Sequence, residues 1–155
     1  VGIPDTGIDY LNEEFIREDG TSRILSIWDQ TIRNDTPDIG DPYIGKIYSH
    51  EQINAAISAY RNNENPYAIV PSKDEIGHGT RVAGIIGGRG ATDIFKGIAN
   101  NCNFIIVKLI ESTNFKDMLK ENLLEDVPVY NTAEIVAGIE YLKNEFYKIK
   151  NICIK

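Results

Sequence analysis

The sequence predicts an α/β fold, a parallel sheet with flanking helices. Segments with the apolar content of strands alternate along the chain with segments in which apolar residues recur at helical spacing. Such alternation is typical of parallel sheets, whose successive strands are joined through helices. The run from Asn103 to Ile110 (NFIIVKLI) is almost wholly apolar, as expected of a strand that helices cover on both faces.

Two earlier strands are shorter and less uniform than this one. Residues 1–4 (VGIP) are predicted as a short strand, followed by a turn at Asp5-Thr6-Gly7, where glycine can adopt backbone angles closed to other residues. Residues 23–30 (RILSIWDQ) form the second candidate. The polar stretch 31–46 contains several prolines and glycines and is predicted as a loop, whereas residues 67–71 are predicted to be extended.

The first predicted helix follows a capping signal. The segment Ser49-His50-Glu51-Gln52 has the S-x-x-Q form in which the Ser and Gln side chains each bind a free backbone N–H. Apolar residues then recur at helical spacing, so a helix is predicted over residues 50–62. His50 lies beside the cap, and we expect it to be exposed to solvent and to have no catalytic role.

A second predicted helix, residues 77–88 (GHGTRVAGIIGG), is rich in glycine and places Val82, Ile85 and Ile86 on one face. Each internal glycine would weaken an isolated helix by about 1 kcal/mol relative to alanine, so tertiary packing at close backbone approach is expected to hold it. The run from Gly87 to Gly90 follows a helix instead of opening one. It therefore indicates helix termination and not a phosphate-binding loop.

The C-terminal third contains one strongly patterned helix. Residues 132–147 carry apolar residues on one face, at Ile135, Ile139, Leu142 and Phe146. The charged segment before it is predicted to be irregular apart from a short helix around residues 118–124.

Both ends of the sequence resemble interrupted strands, since the chain opens on Val1-Gly2-Ile3 and closes on residues 151–155 (NICIK). We therefore expect a piece of a larger sheet. Unpaired strand edges promote association between copies, so oligomerisation through exposed edges is also expected.

Composition narrows the classes of partner. The formal net charge is -7 and the isoelectric point about 4.8, which argues against nucleic acid and anionic membranes, because both require a basic face. The uninterrupted apolar runs are only a few residues long, so no transmembrane segment is predicted. Cys102 and Cys153 lie far apart without a CxxC pattern and are predicted to be buried free thiols.

Asp5 is the first residue with a candidate chemical role. It lies at the carboxyl end of a predicted strand, where α/β sheets place ligand-binding and catalytic groups. Taken by itself, the tripeptide Asp-Thr-Gly is also common in ordinary turns that have no catalytic role. An aspartyl protease would use the same three residues, but it needs a second such motif or a homodimer and a β-rich chain, and this sequence is not β-rich.

His78 is the second candidate, because it opens the glycine-rich helix. The positive end of the helix dipole disfavours imidazolium and keeps the ring neutral and basic. A neutral imidazole suits a general base.

Together, DTGID at residues 5–9 and GHGTRVAGIIGG at 77–88 resemble the Asp and His signatures of the subtilisin-like serine proteases, the subtilase or S8 family. The resemblance implies that Asp5 orients the general base His78, with Asp9 as a minor alternative carboxylate, and that the longer protein hydrolyses peptide bonds in protein or peptide substrates. It also implies that the fold is an incomplete subtilisin-like parallel sheet.

The family places its nucleophile in a Gly-Thr-Ser-x-Ala segment after the His, and no such segment follows His78. Ser22 follows Gly-Thr but precedes His78 and a strand, and Ser112 has no Gly-Thr before it, so neither is expected to replace it. The resemblance therefore implies that residues 1–155 are the N-terminal part of a subtilase catalytic domain and are inactive alone. The alternative is a pseudoprotease or a non-enzymatic interaction module on the same scaffold.

Details of the match refine the expectation. Asp5 and His78 are further apart than a compact subtilisin needs, so an insertion around residues 31–72 is predicted. The segments 23–32 and 70–74 resemble the clostridial branch that includes spore-germination proteases, which implies an extracellular or spore-associated protein. Pro4 departs from the family, because proline removes a backbone donor next to Asp5, although an edge strand would tolerate it.

No cofactor is expected for this chemistry. Asp5, Asp9, Asp74 and His78 could supply metal ligands, but no metal-binding spacing supports that reading. The resemblance allows calcium in the longer protein. The carboxylates of residues 35–41 lack EF-hand spacing and are interpreted as solvated loop charge.

Overall fold

A computed structural model describes residues 1–35, 42–92, 94–121 and 128–153 of the chain. The strands are β1 (Gly2–Asp5), β2 (Ile24–Asp29), β3 (Lys46–Ser49) and β4 (Phe104–Lys108). The α-helices are α1 (His50–Arg61), α2 (His78–Gly87), α3 (Thr113–Glu121) and α4 (Thr132–Cys153), with short 3₁₀ turns at Glu13–Phe15 and Pro66–Ala68.

The four strands form one sheet in the order β1-β4-β2-β3. β4 pairs in parallel with β1 and β2, whereas β3 runs antiparallel to β2 at the edge. Every residue of β4 is buried, because this central strand has helices on both of its faces. The prediction of an α/β fold with a parallel sheet is confirmed.

Each face of the sheet has its own hydrophobic core. On one face, α1 and α2 pack against a large cluster that includes Ile27, Ile53 and Ile106. On the other, α4 covers Trp28 and Val107 through side chains along its first half. The described helices therefore flank the sheet as the sequence predicts, and the loops at the carboxyl ends of β1 and β4 lie at one edge of it.

Pro4 is accommodated by the position of β1 in the described sheet. The carbonyls of Val1 and Asp5 accept from the N–H groups of Ile105 and Leu109 at 2.8 and 2.9 Å, so odd-numbered residues of β1 face β4. Residues of a parallel strand alternate between its two sides, so the proline nitrogen faces away from β4. No described strand lies on that side, and the missing donor leaves no ladder bond unmade.

The capping box at the start of α1 is confirmed. The Ser49 hydroxyl accepts from the Gln52 N–H at 3.4 Å, and the Gln52 side chain accepts from the Ser49 N–H at 2.9 Å. His50, however, is half-buried, and its Nδ1 lies 2.9 Å from the carbonyl oxygen of Ile24. The expectation that it is exposed is wrong, because the first turn of α1 packs directly on β2.

Three other predictions about local structure are wrong. Lys46, predicted as the end of a loop, instead opens β3, and Tyr67 and Ala68, predicted to be extended, belong to a 3₁₀ turn. Residues 151–153 continue α4 instead of opening a strand. α3 begins earlier than predicted, and the predicted helical residues 122–124 lie outside the described residues.

The apolar faces assigned to two helices are only partly buried. Val82 and Ile86 pack against the core, as do Ile135 and Leu142, but three further members of the predicted stripes are exposed. Those three are Ile85, Ile139 and Phe146.

Cys102 is free but only half-buried, and the side chain of Cys153 lies outside those described. Among the residues described, no helix combines the length and hydropathy required to cross a bilayer.

Candidate active site

The structure brings Asp5 and His78 together, although 73 positions separate them in the sequence. Asp5 is the last residue of β1 and His78 the first of α2. The Nδ1 atom of His78 lies 2.7 Å from Oδ1 of Asp5. The Asp5 side chain is 16% exposed and that of His78 61% exposed, so the carboxylate lies below an imidazole that reaches solvent.

The partners of Asp5 determine the tautomer of this ring. Oδ1 of Asp5 also accepts from the Thr6 N–H at 2.7 Å. An ionised carboxylate can only accept hydrogen bonds, so the proton of the contact with His78 must reside on Nδ1. The neutral ring then carries its lone pair on Nε2, the nitrogen that could remove a proton from a reacting group.

Gly79 allows the two elements to approach this closely. A Cβ atom at position 79 would lie 2.2 Å from the carbonyl oxygen of Gly7 and 3.2 Å from Cβ of Asp5. Gly7 itself has a φ of 122°, in the region that favours glycine. The first turn of α2 therefore contacts the backbone that leaves β1, and only a residue without a side chain fits between them.

Asp74, which precedes α2, joins the same region. Its carboxylate accepts hydrogen bonds from the side chains of Thr6 and Thr80 and from the N–H groups of Gly77 and Thr80, all at 2.6–2.8 Å. Burial by itself would raise the pKa of Asp74, but the hydrogen bonds from Thr80, Thr6 and Gly77 outweigh it and lower the pKa below its ordinary value. The carboxylate is therefore ionised at neutral pH.

From the sequence, Asp74 was considered only as a possible metal ligand. The signal that could have identified its role is its position just before a helix whose N-cap, Gly77, has no capping side chain. Asp9, which was considered together with Asp74, is exposed and accepts from the Leu11 N–H at 3.3 Å. Among the described residues, no three Asp, Glu, His or Cys side chains cluster as the ligands of a metal ion.

A cleft lies at the carboxyl ends of β1 and β4, where Thr6 follows Asp5 and Lys108 ends β4. It is lined by Thr6, Glu75, Ile76, Lys108, Ile110 and Tyr130, among others. The Lys108 ammonium donates to the Lys73 carbonyl and to the Glu75 carboxylate, both at 2.6 Å. Burial would raise the pKa of Glu75, but this bond from Lys108 contributes to a net lowering. Nothing in the sequence points to Lys108, because a lysine at the end of an apolar strand gives no distinctive pattern.

Tyr130 also lines this cleft and remains neutral. Burial raises its pKa to about 12, and the nearby carboxylates of Glu111, Asp5 and Asp74 act in the same direction. The cleft wall thus presents a neutral phenol, an ion pair and apolar side chains.

Ser22 and Ser112, the two serines of the sequence that were weighed as replacement nucleophiles, are both buried. Ser22 is fully buried, and its hydroxyl accepts from the Ile24 N–H at 3.0 Å. Ser112 is also buried. Within the described ranges, neither serine hydrogen-bonds to the imidazole.

The chain is similar to known proteases over nearly its whole length. A family model described as the subtilase family, Peptidase S8, matches residues 1–136. The solved structure of the CspB protease of Clostridium perfringens is similar with a TM-score of 0.72 and 28% sequence identity, covering 96% of this chain and 26% of that chain. The chain therefore spans about a quarter of that protease. No curated protein matches the sequence.

Proposed function

The chain belongs to the subtilase family, and from this premise we propose that Asp5 and His78 are the orienting carboxylate and the general base of a serine endopeptidase. The observation that supports the proposal is the 2.7 Å contact between Nδ1 of His78 and Oδ1 of Asp5. It joins a largely buried carboxylate to an exposed ring at the carboxyl ends of parallel strands, where the loops of α/β folds carry reacting groups.

The proposed chemistry uses His78 twice. As a serine hydroxyl attacks the carbonyl carbon of a peptide bond, Nε2 removes the hydroxyl proton and the ring becomes imidazolium. The Asp5 carboxylate stabilises that cation and holds Nδ1–H in place. Nε2 then donates its proton to the departing amine, and a water molecule repeats the sequence to release the acyl group. These steps need no cofactor.

The nucleophile of this mechanism is absent from the 155 residues, because no Gly-Thr-Ser-x-Ala segment follows His78. We therefore propose that this chain alone is inactive and forms the Asp–His part of a catalytic domain, while the longer protein hydrolyses peptide bonds in protein substrates. Retention of both Asp5 and His78 favours an active protease over a pseudoprotease.

Labelling with a fluorophosphonate, which reacts with activated serines, tests the proposal. We expect the 155-residue chain to remain unlabelled and the complete product of its gene to be labelled. Replacement His78→Ala should abolish labelling of the complete product, whereas His50→Ala, the matched control, should retain it. Labelling of the short chain would show that its nucleophile had been overlooked, and an unlabelled complete product would support a pseudoprotease or interaction module.

A further inference from the structure

We propose that Asp74 is the positioning residue of the Asp5–His78 pair, setting the start of α2 against the end of β1 through Thr6 and Thr80. This inference rests on the proposed function, in which the relative position of Asp5 and His78 determines whether Nε2 can act as a base.

Four hydrogen-bond donors surround the Asp74 carboxylate. Its Oδ1 accepts from the Thr6 hydroxyl at 2.7 Å and from the Gly77 N–H at 2.8 Å. Its Oδ2 accepts from the Thr80 hydroxyl at 2.6 Å and from the Thr80 N–H at 2.8 Å. Each carboxylate oxygen therefore faces one hydroxyl and one backbone N–H.

The two threonines connect Asp74 to opposite sides of the site. Because each hydroxyl has one proton and donates it to Asp74, its oxygen is left to accept from another group. The Thr6 oxygen accepts from the Gly79 N–H at 2.9 Å, and the Thr80 oxygen accepts from the Asp9 N–H at 2.9 Å. Thr6 thus reaches from the β1 turn to α2, and Thr80 reaches from α2 back to the β1 turn.

This network holds the backbone on both sides of His78. The N–H of Gly77 is bound by Asp74 and that of Gly79 by Thr6. Glycines impose little conformational preference of their own, so these bonds restrict the peptide that carries the imidazole. The Thr6 N–H also donates to the same Asp5 oxygen that contacts His78, so one residue holds both members of the pair.

The network requires a carboxylate at position 74. An asparagine has one acceptor oxygen and one donor NH₂ group. In either orientation its NH₂ would face a backbone N–H, of Gly77 or of Thr80, and a backbone N–H cannot turn away. Asp74→Asn therefore removes an acceptor from the first turn of α2 with almost no change in side-chain volume. A negative charge here also interacts favourably with the N-terminus of α2.

Nitrogen-15 NMR of the histidine rings tests this role in the 155-residue chain. The chain has two histidines, so His50 serves as an internal reference outside the network. In the wild type we expect the ring-nitrogen shifts of His78 to show the Nδ1–H tautomer, with a hydrogen-bonded Nδ1–H proton signal. In folded Asp74→Asn we expect that signal to be lost and the His78 nitrogens to move towards the averaged shifts of a free ring, while His50 is unchanged.

Paired threonine variants separate positioning from stability. Thr80→Ser keeps the hydroxyl and should preserve the His78 signals, whereas Thr80→Val should lose them as Asp74→Asn does. If Asp74→Asn does not fold, Thr6→Val against Thr6→Ser makes the same comparison. Variants that are less stable but retain the His78 Nδ1–H signal would overturn the positioning role. Absence of that signal in the wild type would instead contradict the Asp5–His78 pair, and with it the proposed function.

Discussion

Replacing Gly79 with alanine tests whether α2 must touch the turn after β1 for His78 to reach Asp5. The new Cβ would lie 2.2 Å from the Gly7 carbonyl oxygen, whereas ordinary contacts of this kind begin near 3.4 Å. Both atoms belong to, or are attached directly to, backbone, so no side-chain rotation relieves the overlap. The start of α2 must move away from β1 by about 1 Å.

The size of the effect follows from two opposing contributions. Alanine in place of glycine within a helix favours the folded state by up to about 1 kcal/mol. Overpacking against a fixed backbone costs about 1–3 kcal/mol, so we expect a net loss of up to about 2 kcal/mol in the free energy of unfolding. A shift of about 1 Å would also lengthen the 2.7 Å contact between His78 and Asp5 beyond useful hydrogen-bonding distance.

Gly84 in the same helix provides a matched control, because a Cβ there would meet no atom within 4 Å. Gly84→Ala should stabilise the chain by about 0.5–1 kcal/mol through helix propensity alone. Urea unfolding, followed by the fluorescence of the single tryptophan Trp28, measures both variants. Equal stability of Gly79→Ala and Gly84→Ala, with the His78 Nδ1–H signal retained in both, would refute the argument from close approach.

Three further predictions concern residues around the site and the first helix. Ser49→Ala should lower the free energy of unfolding by about 1 kcal/mol through loss of the α1 cap, and Gln52→Ala by less, as urea midpoints would show. Asp74→Asn should cost about 1–3 kcal/mol at pH 7. Folding lowers the pKa of Asp74, so the stability that its carboxylate contributes is fully present above the unfolded pKa of about 3.9 and is lost as pH falls through the folded pKa. In urea titrations at acid pH, the free energy of unfolding of the variant should therefore approach that of the wild type. Lys108→Met should lower the free energy of unfolding by about 1–2 kcal/mol, because the Lys73 carbonyl loses its hydrogen-bond donor. Glu75→Gln should change it by less than about 1 kcal/mol, because the Glu75 side chain is 66% exposed.

Each of these has a result that would contradict it. If Asp74→Asn lowered the free energy of unfolding as much at pH 3 as at pH 7, Asp74 would not act through its ionised form. An effect of Glu75→Gln as large as that of Lys108→Met would show that the exposed ion pair, and not the Lys73 carbonyl, anchors the loop. An unchanged midpoint for Ser49→Ala would mean that packing alone fixes the start of α1.

The sequence indicated the sheet and its helices because their signals are local and strong. The buried run of β4 and the capping box of α1 depend on residues adjacent in the chain, and both were found in the structure. β3 was missed because it is a four-residue edge strand that follows a polar segment, and only its pairing with β2 makes it a strand. Residues 151–153 have the apolar character of a strand but continue a long helix, which local apolar content cannot distinguish.

For the site, the sequence indicated which residues to consider but not what connects them. Asp5 and His78 were identified from motifs, and their roles remain a proposal. The contributions of Asp74, Thr6 and Thr80 depend on hydrogen bonds between segments about 70 positions apart, which no local pattern records. The insertion around residues 31–72 also remains a prediction.

The most direct test of the account is the hydrolysis of a fluorogenic peptide by the complete product of the gene. We expect Asp5→Asn to lower kcat on the order of 10⁴-fold and His78→Ala at least as much, magnitudes taken from serine proteases that include subtilisin itself, while His50→Ala remains near wild type. Activity of the Asp5 and His78 variants equal to that of His50→Ala would contradict the assignment of these residues as orienting carboxylate and general base.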